Sequence, residues 1–173
     1  MTATTFIHTS DFQLGMTRWF LKGEAQGRFN DDREAAIVRL GELAKDTGAD
    51  FIVVAGDVFE HNALSREILA RATEMFKRLP VPVYVLPGNH DPLVADSVFY
   101  KASADNVHVI ADSEPIEVAP GVELVGAPYL SKRANHDLVR QALEPLESAA
   151  GIRIAVGHGQ VDSRSGEDDA DTI

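Results

Sequence analysis

The sequence has 173 residues, of which 45% are apolar and 25% are charged, and its formal net charge is −11. This length suits one domain with a substantial core, and the composition is typical of a soluble globular protein. A chain this acidic does not attract nucleic acid through its overall field, so a phosphate-bearing substrate would need bound cations or a local basic patch.

Targeting and membrane signals are missing from the sequence. No apolar run approaches the length of a membrane span, and the N-terminal residues lack the basic and apolar regions of a signal peptide. The chain has no cysteine, which excludes disulfides and thiolate metal ligands and agrees with a reducing compartment. We therefore predict a cytoplasmic protein with no membrane partner, and we interpret the acidic run at 167–171 as a solvated tail.

Predicted strands and helices alternate along most of the chain. In chain order they are a buried strand at Thr5–His8, a helix at Asn30–Thr47, a strand at Phe51–Ala55, a helix at Ser65–Leu79, strands at Val83–Leu86 and Asn106–Ile110, a hairpin of Ile116–Val118 with Val122–Val125, a helix at His136–Ser148 and a strand at Ile152–Val156. This alternation indicates βαβ units and a largely parallel sheet, to which the hairpin adds antiparallel strands.

Capping and breaking residues set the expected helix boundaries. Asn30, Asp31 or Asp32 can cap the first helix, and Gly48 ends it. Pro145 is an objection to the full length of the last helix, because proline disrupts a helix interior.

Polar residues follow four of the predicted strands, at the end where open α/β sheets bind their ligands. They are Asp11 and Gln13 after the first strand, Asp57 after the second, Asn89, His90 and Asp91 after the third, and His158 after the last. In a parallel sheet these residues would converge on one edge although they are far apart in the chain.

Turn chemistry explains each of these residues taken singly, since Gly-Asp is a common turn dipeptide and asparagine tolerates a left-handed backbone. Their occurrence at four strand ends instead predicts a metal site. Carboxylate, amide oxygen and imidazole together suit manganese, magnesium, iron or zinc, and a carboxylate shared by two ions suits in-line attack on a phosphate. We interpret His8 as a packed neighbour of this site, and Glu60 either as a hydrogen-bonding group near Asp57 or as a solvated loop acid.

These motifs resemble those of the calcineurin-like metallophosphoesterases, whose pattern is D-x-H, G-D-x-x-[D/E], G-N-H-[D/E], a lone His and G-H-x-H. The corresponding sequences here are DFQ at 11–13, GDVFE at 56–60, GNHD at 88–91 and GH at 157–158. Within the family, FIHTSDFQLG, VVAGDVFEHN, VYVLPGNHDP and IAVGHGQV are most similar to the SbcD-type nuclease subunits of bacterial DNA-repair complexes.

The resemblance implies an α/β fold, a two-sheet β sandwich flanked by helices, and a centre of two divalent ions, with manganese the first choice and magnesium, iron or zinc as alternatives. Asp11 and Gln13 would ligate the first ion, Asp57 would bridge both, and Asn89 and His158 would ligate the second. His90 would stabilise the transition state or protonate the leaving oxygen, and Asp91 would orient His90. The implied function is cleavage of phosphodiesters in a DNA substrate, with an SbcC/Rad50-like coiled-coil ATPase as partner and a homodimer as a further expectation.

Two departures from the family pattern bear on these expectations. Gln13 stands where the family has histidine, and a neutral amide oxygen is a weaker ligand than imidazole. No G-H-x-H follows His158, and no capping domain is present. We therefore expect 1–173 to be an incomplete metallophosphoesterase domain, truncated at the C-terminus and weakly active or inactive as it stands. The alternatives left open are a small-molecule phosphodiesterase or phosphatase of the same fold and a degenerate, non-catalytic domain.

Overall fold

The computed structural model describes residues 3–159. The acidic run at 167–171, predicted to be a solvated tail, lies outside the described residues. No helix within 3–159 is long and apolar enough to cross a membrane.

Four parallel strands form the first sheet, and their order in the sheet is their order in the chain. They are β1 Phe6–Thr9, β2 Phe51–Ala55, β3 Val83–Leu86 and β4 Val107–Val109. Because all four strands run in the same direction, their carboxyl ends lie at the same edge of the sheet.

Two helices make the first two crossovers, α1 Glu24–Thr47 and α2 Arg66–Phe76, and a short 3₁₀ turn at Val98–Tyr100 precedes β4. Gly48 ends α1 in a left-handed conformation with φ of 64°, which glycine adopts without steric cost. Oγ of Ser65 caps α2 by accepting the amide of Ile68 at 3.4 Å.

Three strands form the second sheet: β5 Ile116–Ala119, β6 Val122–Gly126 and β7 Ile152–Val156. β5 and β6 pair as the predicted antiparallel hairpin, whereas β6 and β7 are parallel and are connected through α3, Leu138–Leu143.

The two faces of β2 show how the layers stack. Ile52 and Val54 pack against the cluster that contains buried residues of α1 and α2. Phe51, Val53 and Ala55 point the other way, toward a cluster that includes Leu124 and Val156 of the second sheet. A third cluster joins β6 to α3 on the far side. The order of layers is helices, sheet, sheet and helix, so the predicted two-sheet α/β fold is confirmed.

Three element predictions were wrong in detail. β1 is an edge strand with Phe6 37% exposed, not a buried strand, because only β2 pairs with it. α1 begins at Glu24, six residues before the expected start, so Asn30 lies inside the helix instead of capping it. α3 ends at Leu143, because Pro145 lacks the backbone N–H that would continue the helix.

Candidate metal centre

The fold brings together candidate residues from the ends of β1, β2, β3 and β7. Ligand atoms of Asp11, Asp57 and His158 all lie within 4.8 Å of one another. Oδ1 of Asn89 lies 3.1 Å from Nε2 of His158. Since β7 belongs to the second sheet, this cluster lies where the two sheets meet.

A cleft of about 420 Å³ opens at this cluster. Its wall contains residues that follow β1, β3 and β7 as well as two that lie within strands. They are His8, Ser10, Asp11, Ala55, Asn89, Gly157, His158 and Gly159. The cleft therefore offers space for a ligand beside Asp11, Asn89 and His158.

Hydrogen bonds fix the ring of His158. Nδ1 lies 2.8 Å from the carbonyl oxygen of Ala55, which can only accept, so Nδ1 carries a proton. Nε2 faces oxygens on its other side: Oδ1 of Asn89 at 3.1 Å and Oδ2 of Asp57 at 3.4 Å. Burial alone would lower the pKa of His158, but the hydrogen bond and charge of Asp57 raise it to about 9. Without a cation, the ring is therefore held as imidazolium between these oxygens.

Asp57 is the buried carboxylate of the cluster, with 3% of the residue exposed. Its Oδ1 accepts the backbone amide of His90 at 3.1 Å, while Oδ2 faces His158. Burial alone would raise the pKa of Asp57, but hydrogen bonds from His158 and from the His90 amide outweigh it and hold this pKa below its ordinary value. The carboxylate is consequently ionised at neutral pH.

Left-handed backbone conformations concentrate at this site. Within residues 3–159, the non-glycine residues with positive φ are Asp11 at 57°, Gln13 at 43° and Asp57 at 54°. Such conformations cost of order 1–3 kcal/mol each and persist where the surrounding structure determines them, often at functional sites. Here the amides of Asp11 and Gln13 donate to the carbonyls of Gly56 and Asp57 at 3.1 and 2.9 Å. These bonds tie the loops after β1 and β2 together.

Two motif glycines are required by close approach. A Cβ on Gly56, which has φ of 90°, would lie 2.3 Å from the His158 ring. A Cβ on Gly88 would lie 2.2 Å from Oδ1 of Asp57. The glycines of the G-D and G-N-H motifs therefore make room for the polar side chains that the motifs bring together.

Gln13 is half-buried, and its described contacts involve the backbone. Its amide donates to Asp57, and its carbonyl oxygen accepts Nη1 of Arg33 at 3.0 Å. Arg33 also donates to the carbonyl oxygen of Phe12 at 2.7 Å, so this helix residue anchors the loop after β1. The side chain of Gln13 is not part of the cleft wall. Its role as a ligand stays a prediction.

His90 is held by the loop that follows β2. Nδ1 of His90 lies 3.2 Å from the carbonyl oxygen of Glu60, so this nitrogen carries a proton. Nε2 of His90 makes no hydrogen bond with any residue in 3–159. The Glu60 carboxylate lies nearby, with Oε1 4.0 Å from Nδ1.

The hydrogen bonds of Asp91 go to backbone amides, and its role in orienting His90 stays a prediction. Asp91 is fully buried, and its two oxygens accept the backbone amides of Gly88 and Phe59, each at 2.8 Å. The carboxylate joins the loop after β2 to the loop after β3, while the ring of His90 is held by Glu60. Burial raises the pKa of Asp91 to about 6, against the opposing effect of the two amide hydrogen bonds.

We expect Asp91→Ala to lower the free energy of unfolding by about 2–6 kcal/mol, because two buried amides lose their acceptors at about 1–3 kcal/mol each. Urea unfolding followed by circular dichroism would measure this loss. Asp96→Ala, at an exposed position in the same region, is the matched control and should change stability by less than about 0.5 kcal/mol. Equal stability of the Asp91 and Asp96 variants would contradict the role of Asp91 as a link between loops.

Three residues near the cluster were misjudged or missed from sequence. His8 is exposed and lines the cleft, not packed as predicted. Glu60 is not a solvated acid, since its Oε2 is buried and makes no hydrogen bond with any residue in 3–159. The ring of Tyr129 packs edge-on against His158 with centroids 6.0 Å apart. The sequence carries no periodic signal for Tyr129, which lies in the loop after β6.

The donor set fits divalent cations. A metal-binding histidine commonly donates its second ring N–H to a carbonyl, as His158 does to Ala55. Nε2 of His158 lies close to the carboxylate of Asp57 and to Oδ1 of Asn89. Asp11, from the loop after β1, adds a second carboxylate to the cluster. Carboxylate, amide oxygen and imidazole are ligands of manganese, magnesium, iron and zinc.

The sequence profile of the calcineurin-like phosphoesterase family matches residues 4–172. The chain belongs to this family, whose members generally depend on divalent metal ions and hydrolyse phosphoesters.

Curated relatives include proteins from an archaeon and a bacterium. The chain is 32% identical over 98 residues to the DNA double-strand break repair protein Mre11 of Archaeoglobus fulgidus, covering 55% of this chain and 21% of the relative. It is 26% identical over 178 aligned positions to the uncharacterized metallophosphoesterase YhaO of Bacillus subtilis, covering 97% of this chain and 43% of the relative. The chain thus spans less than half the length of both relatives.

Among solved structures, the Pseudomonas putida nuclease MPE is similar with a TM-score of 0.42 and 16% identity. The similarity covers 87% of this chain and 59% of that structure.

Proposed function

We propose that this chain carries the hydrolytic site of a metal-dependent DNA nuclease of the SbcD type, acting on phosphodiesters in double-strand-break repair. One observation carries the proposal: Asp11, Asp57, Asn89 and His158 gather at one cleft, and the backbone of His90 binds Asp57. Family membership and the partial similarity to the Archaeoglobus repair protein support the reaction and the substrate, respectively.

The proposed centre holds two ions, manganese in first place, with magnesium, iron or zinc as alternatives. Asp57 would be the shared ligand; its Oδ1 faces the His90 amide and its Oδ2 faces His158. Asp11 and Gln13 would hold the first ion, and Asn89 and His158 would hold the second. When bound, the ions would offset charge on the phosphate and lower the pKa of water.

Two histidines of the chain would orient a metal ligand and assist the leaving group. His158 must lose the Nε2 proton to become a ligand, and its Nδ1–H bond to Ala55 keeps the ring in place while it does so. In hydrolysis, water attacks phosphorus as the bond to the leaving oxygen breaks. His90 would either donate a proton from Nε2 to that oxygen or stabilise charge in the transition state, because its Nδ1 is already engaged by the Glu60 carbonyl.

We expect the full-length protein, stripped with a chelator and reloaded with manganese, to degrade linear DNA. Calorimetry on the same stripped protein should give two bound ions per chain. The same assays with magnesium, iron and zinc would rank the metals by cleavage rate and by binding affinity. One ion per chain would contradict the dinuclear centre, and the absence of DNA cleavage alongside good turnover of small phosphoesters would overturn the nuclease proposal.

A small-molecule phosphodiesterase or phosphatase is the second candidate, favoured by the net charge of −11. Cyclic nucleotides and phosphomonoesters would be assayed with the same manganese-loaded protein. Hydrolysis of these compounds without DNA cleavage would select this candidate. A third possibility, a non-catalytic domain, is motivated by Gln13 and requires that the stripped protein bind no ions tightly.

For the complete protein, an SbcC/Rad50-like coiled-coil ATPase partner, a homodimer and a cytoplasmic location remain proposals that follow from the SbcD-type assignment. Pull-down of such an ATPase with the tagged protein would test the partnership.

A further inference from the structure

The loop between β1 and α1 presents two aromatic rings to solvent. Trp19 is 93% exposed and Phe20 is 57% exposed. Their rings pack edge to face with centroids 5.8 Å apart. Burying large aromatic surface is a major source of stability and affinity, so an exposed adjacent pair of this kind is typical of a binding surface.

The backbone that carries this pair is anchored to α1. Oε1 of Gln26 accepts the amide of Arg18 at 2.9 Å, and Nε2 of Gln26 donates to the carbonyl oxygen of Met16 at 3.1 Å. Nη2 of Arg33 lies 3.1 Å from the sulfur of Met16, which is itself buried. Contacts on the N-terminal side of the aromatic pair therefore fix the loop, while Trp19 and Phe20 project from it.

Positive charge flanks the aromatic pair. Arg18 and Lys22 are exposed, and the sequence contains no acidic residue between 12 and 23. Neither cation has a carboxylate partner among residues 3–159, in contrast to Arg28 and Arg71 on the neighbouring helices. In a chain with a net charge of −11, this loop is the kind of local basic patch that a polyanionic substrate requires.

We propose that Trp19 and Phe20 form a stacking platform for the bases of a single-stranded segment of the DNA substrate, with Arg18 and Lys22 on its phosphates. Exposed aromatic rings combined with basic side chains are the features by which proteins bind single strands without sequence preference. The platform begins on the same loop as Asp11, and eight residues place Trp19 within about 28 Å of it even if the chain were fully extended. The inference rests on the proposed nuclease function, because the platform would bind the segment of DNA that leads into the cleft.

Trp19 is the only tryptophan of the chain, so its fluorescence reports directly on the platform. We expect saturable quenching when a single-stranded oligothymidylate is added to the chelator-treated protein, and weaker binding as salt rises. Duplex DNA of equal length should quench less, because its bases are already stacked. Unchanged tryptophan emission at saturating oligonucleotide would overturn the proposal.

Substitutions separate stacking from general charge. Trp19→Ala should weaken oligothymidylate binding, followed by fluorescence anisotropy of a labelled strand, by roughly 5- to 150-fold, the effect found for single base–aromatic stacks. Tyr100→Ala, at another exposed aromatic residue, is the matched control and should bind as wild type. Arg18→Gln should reduce both affinity and its salt dependence, whereas Arg39→Gln on the exposed face of α1 should not.

A small substrate without bases distinguishes this inference from the proposed function. Manganese-dependent hydrolysis of bis(p-nitrophenyl) phosphate should be the same in wild type and Trp19→Ala, while cleavage of single-stranded DNA falls in the variant. Equal DNA cleavage and binding by both proteins would overturn the platform and leave the nuclease intact. Tryptophan emission that is already shielded from acrylamide without DNA would show that protein covers the loop and would also overturn the platform.

Discussion

Asp57→Asn should lower metal affinity by more than about 100-fold and turnover by at least about 1000-fold. The expected loss of metal affinity exceeds the loss typical of substitutions at residues that only support a metal ligand. The expected loss of turnover corresponds to the several kcal/mol by which metal ions stabilise charge in the transition state. Asp57 is buried, ionised and placed between His158 and the His90 amide, so its charge is the centre of the cluster.

The isosteric change keeps the volume of the side chain and an oxygen that can accept the His90 amide. The fold should therefore survive, which circular dichroism would verify. Asp46→Ala removes an exposed aspartate from α1 and is the matched control for a general loss of negative charge. Two tightly bound manganese ions in Asp57→Asn, counted by calorimetry, would remove Asp57 from the centre.

His90→Ala should reduce turnover on DNA by roughly two to four decades while sparing metal binding. Its contact with Asp57 uses the backbone amide, which alanine retains. The lost group is the ring, which the Glu60 carbonyl holds through Nδ1 and which leaves Nε2 to donate a proton. Steady-state kinetics with DNA and calorimetry with manganese would measure the two effects separately.

The leaving group distinguishes the two roles open to His90. A p-nitrophenolate leaves without protonation, so the loss of a general acid should matter far less for bis(p-nitrophenyl) phosphate than for DNA. An equal loss on both substrates would instead indicate charge stabilisation in the transition state. His61→Ala, at an exposed histidine of the neighbouring loop, should be active on both, and wild-type rates in His90→Ala would exclude any catalytic role.

Strands β2, β3 and β7 could be predicted with correct bounds because each is a short, mainly apolar run closed by glycine or proline. The residues that follow β2 and β3 could be assigned to one edge from the parallel βαβ pattern, whereas His158 follows a strand of the second sheet, which that pattern did not reveal. The exposure of β1 could not, because the position of a strand at a sheet edge depends on which strands pair, not on its own residues. The start of α1 was missed because Gly23 offers no capping side chain.

The positions of Asp91 and Glu60 were beyond sequence reasoning for a related reason. Asp91 accepts the amide of Phe59, a residue 32 positions away, and backbone amides carry no identity that a motif could reveal. Glu60 acts on His90 through its carbonyl oxygen, which any residue possesses. Side-chain motifs identified which groups meet, whereas the bonds that orient them depend on loop geometry.

His158 reaches across the sandwich, since it follows a strand of the second sheet and donates to Ala55 in the first, 103 positions away. An ion held between His158 and Asp57 would consequently act as a cross-link between the layers. Binding of that ion would stabilise the folded state by RT ln(1 + c/Kd), where c is the concentration of the free ion. Packing of the two layers and ion binding would therefore be coupled, so that loosening one sheet would weaken the affinity of the other for the ion.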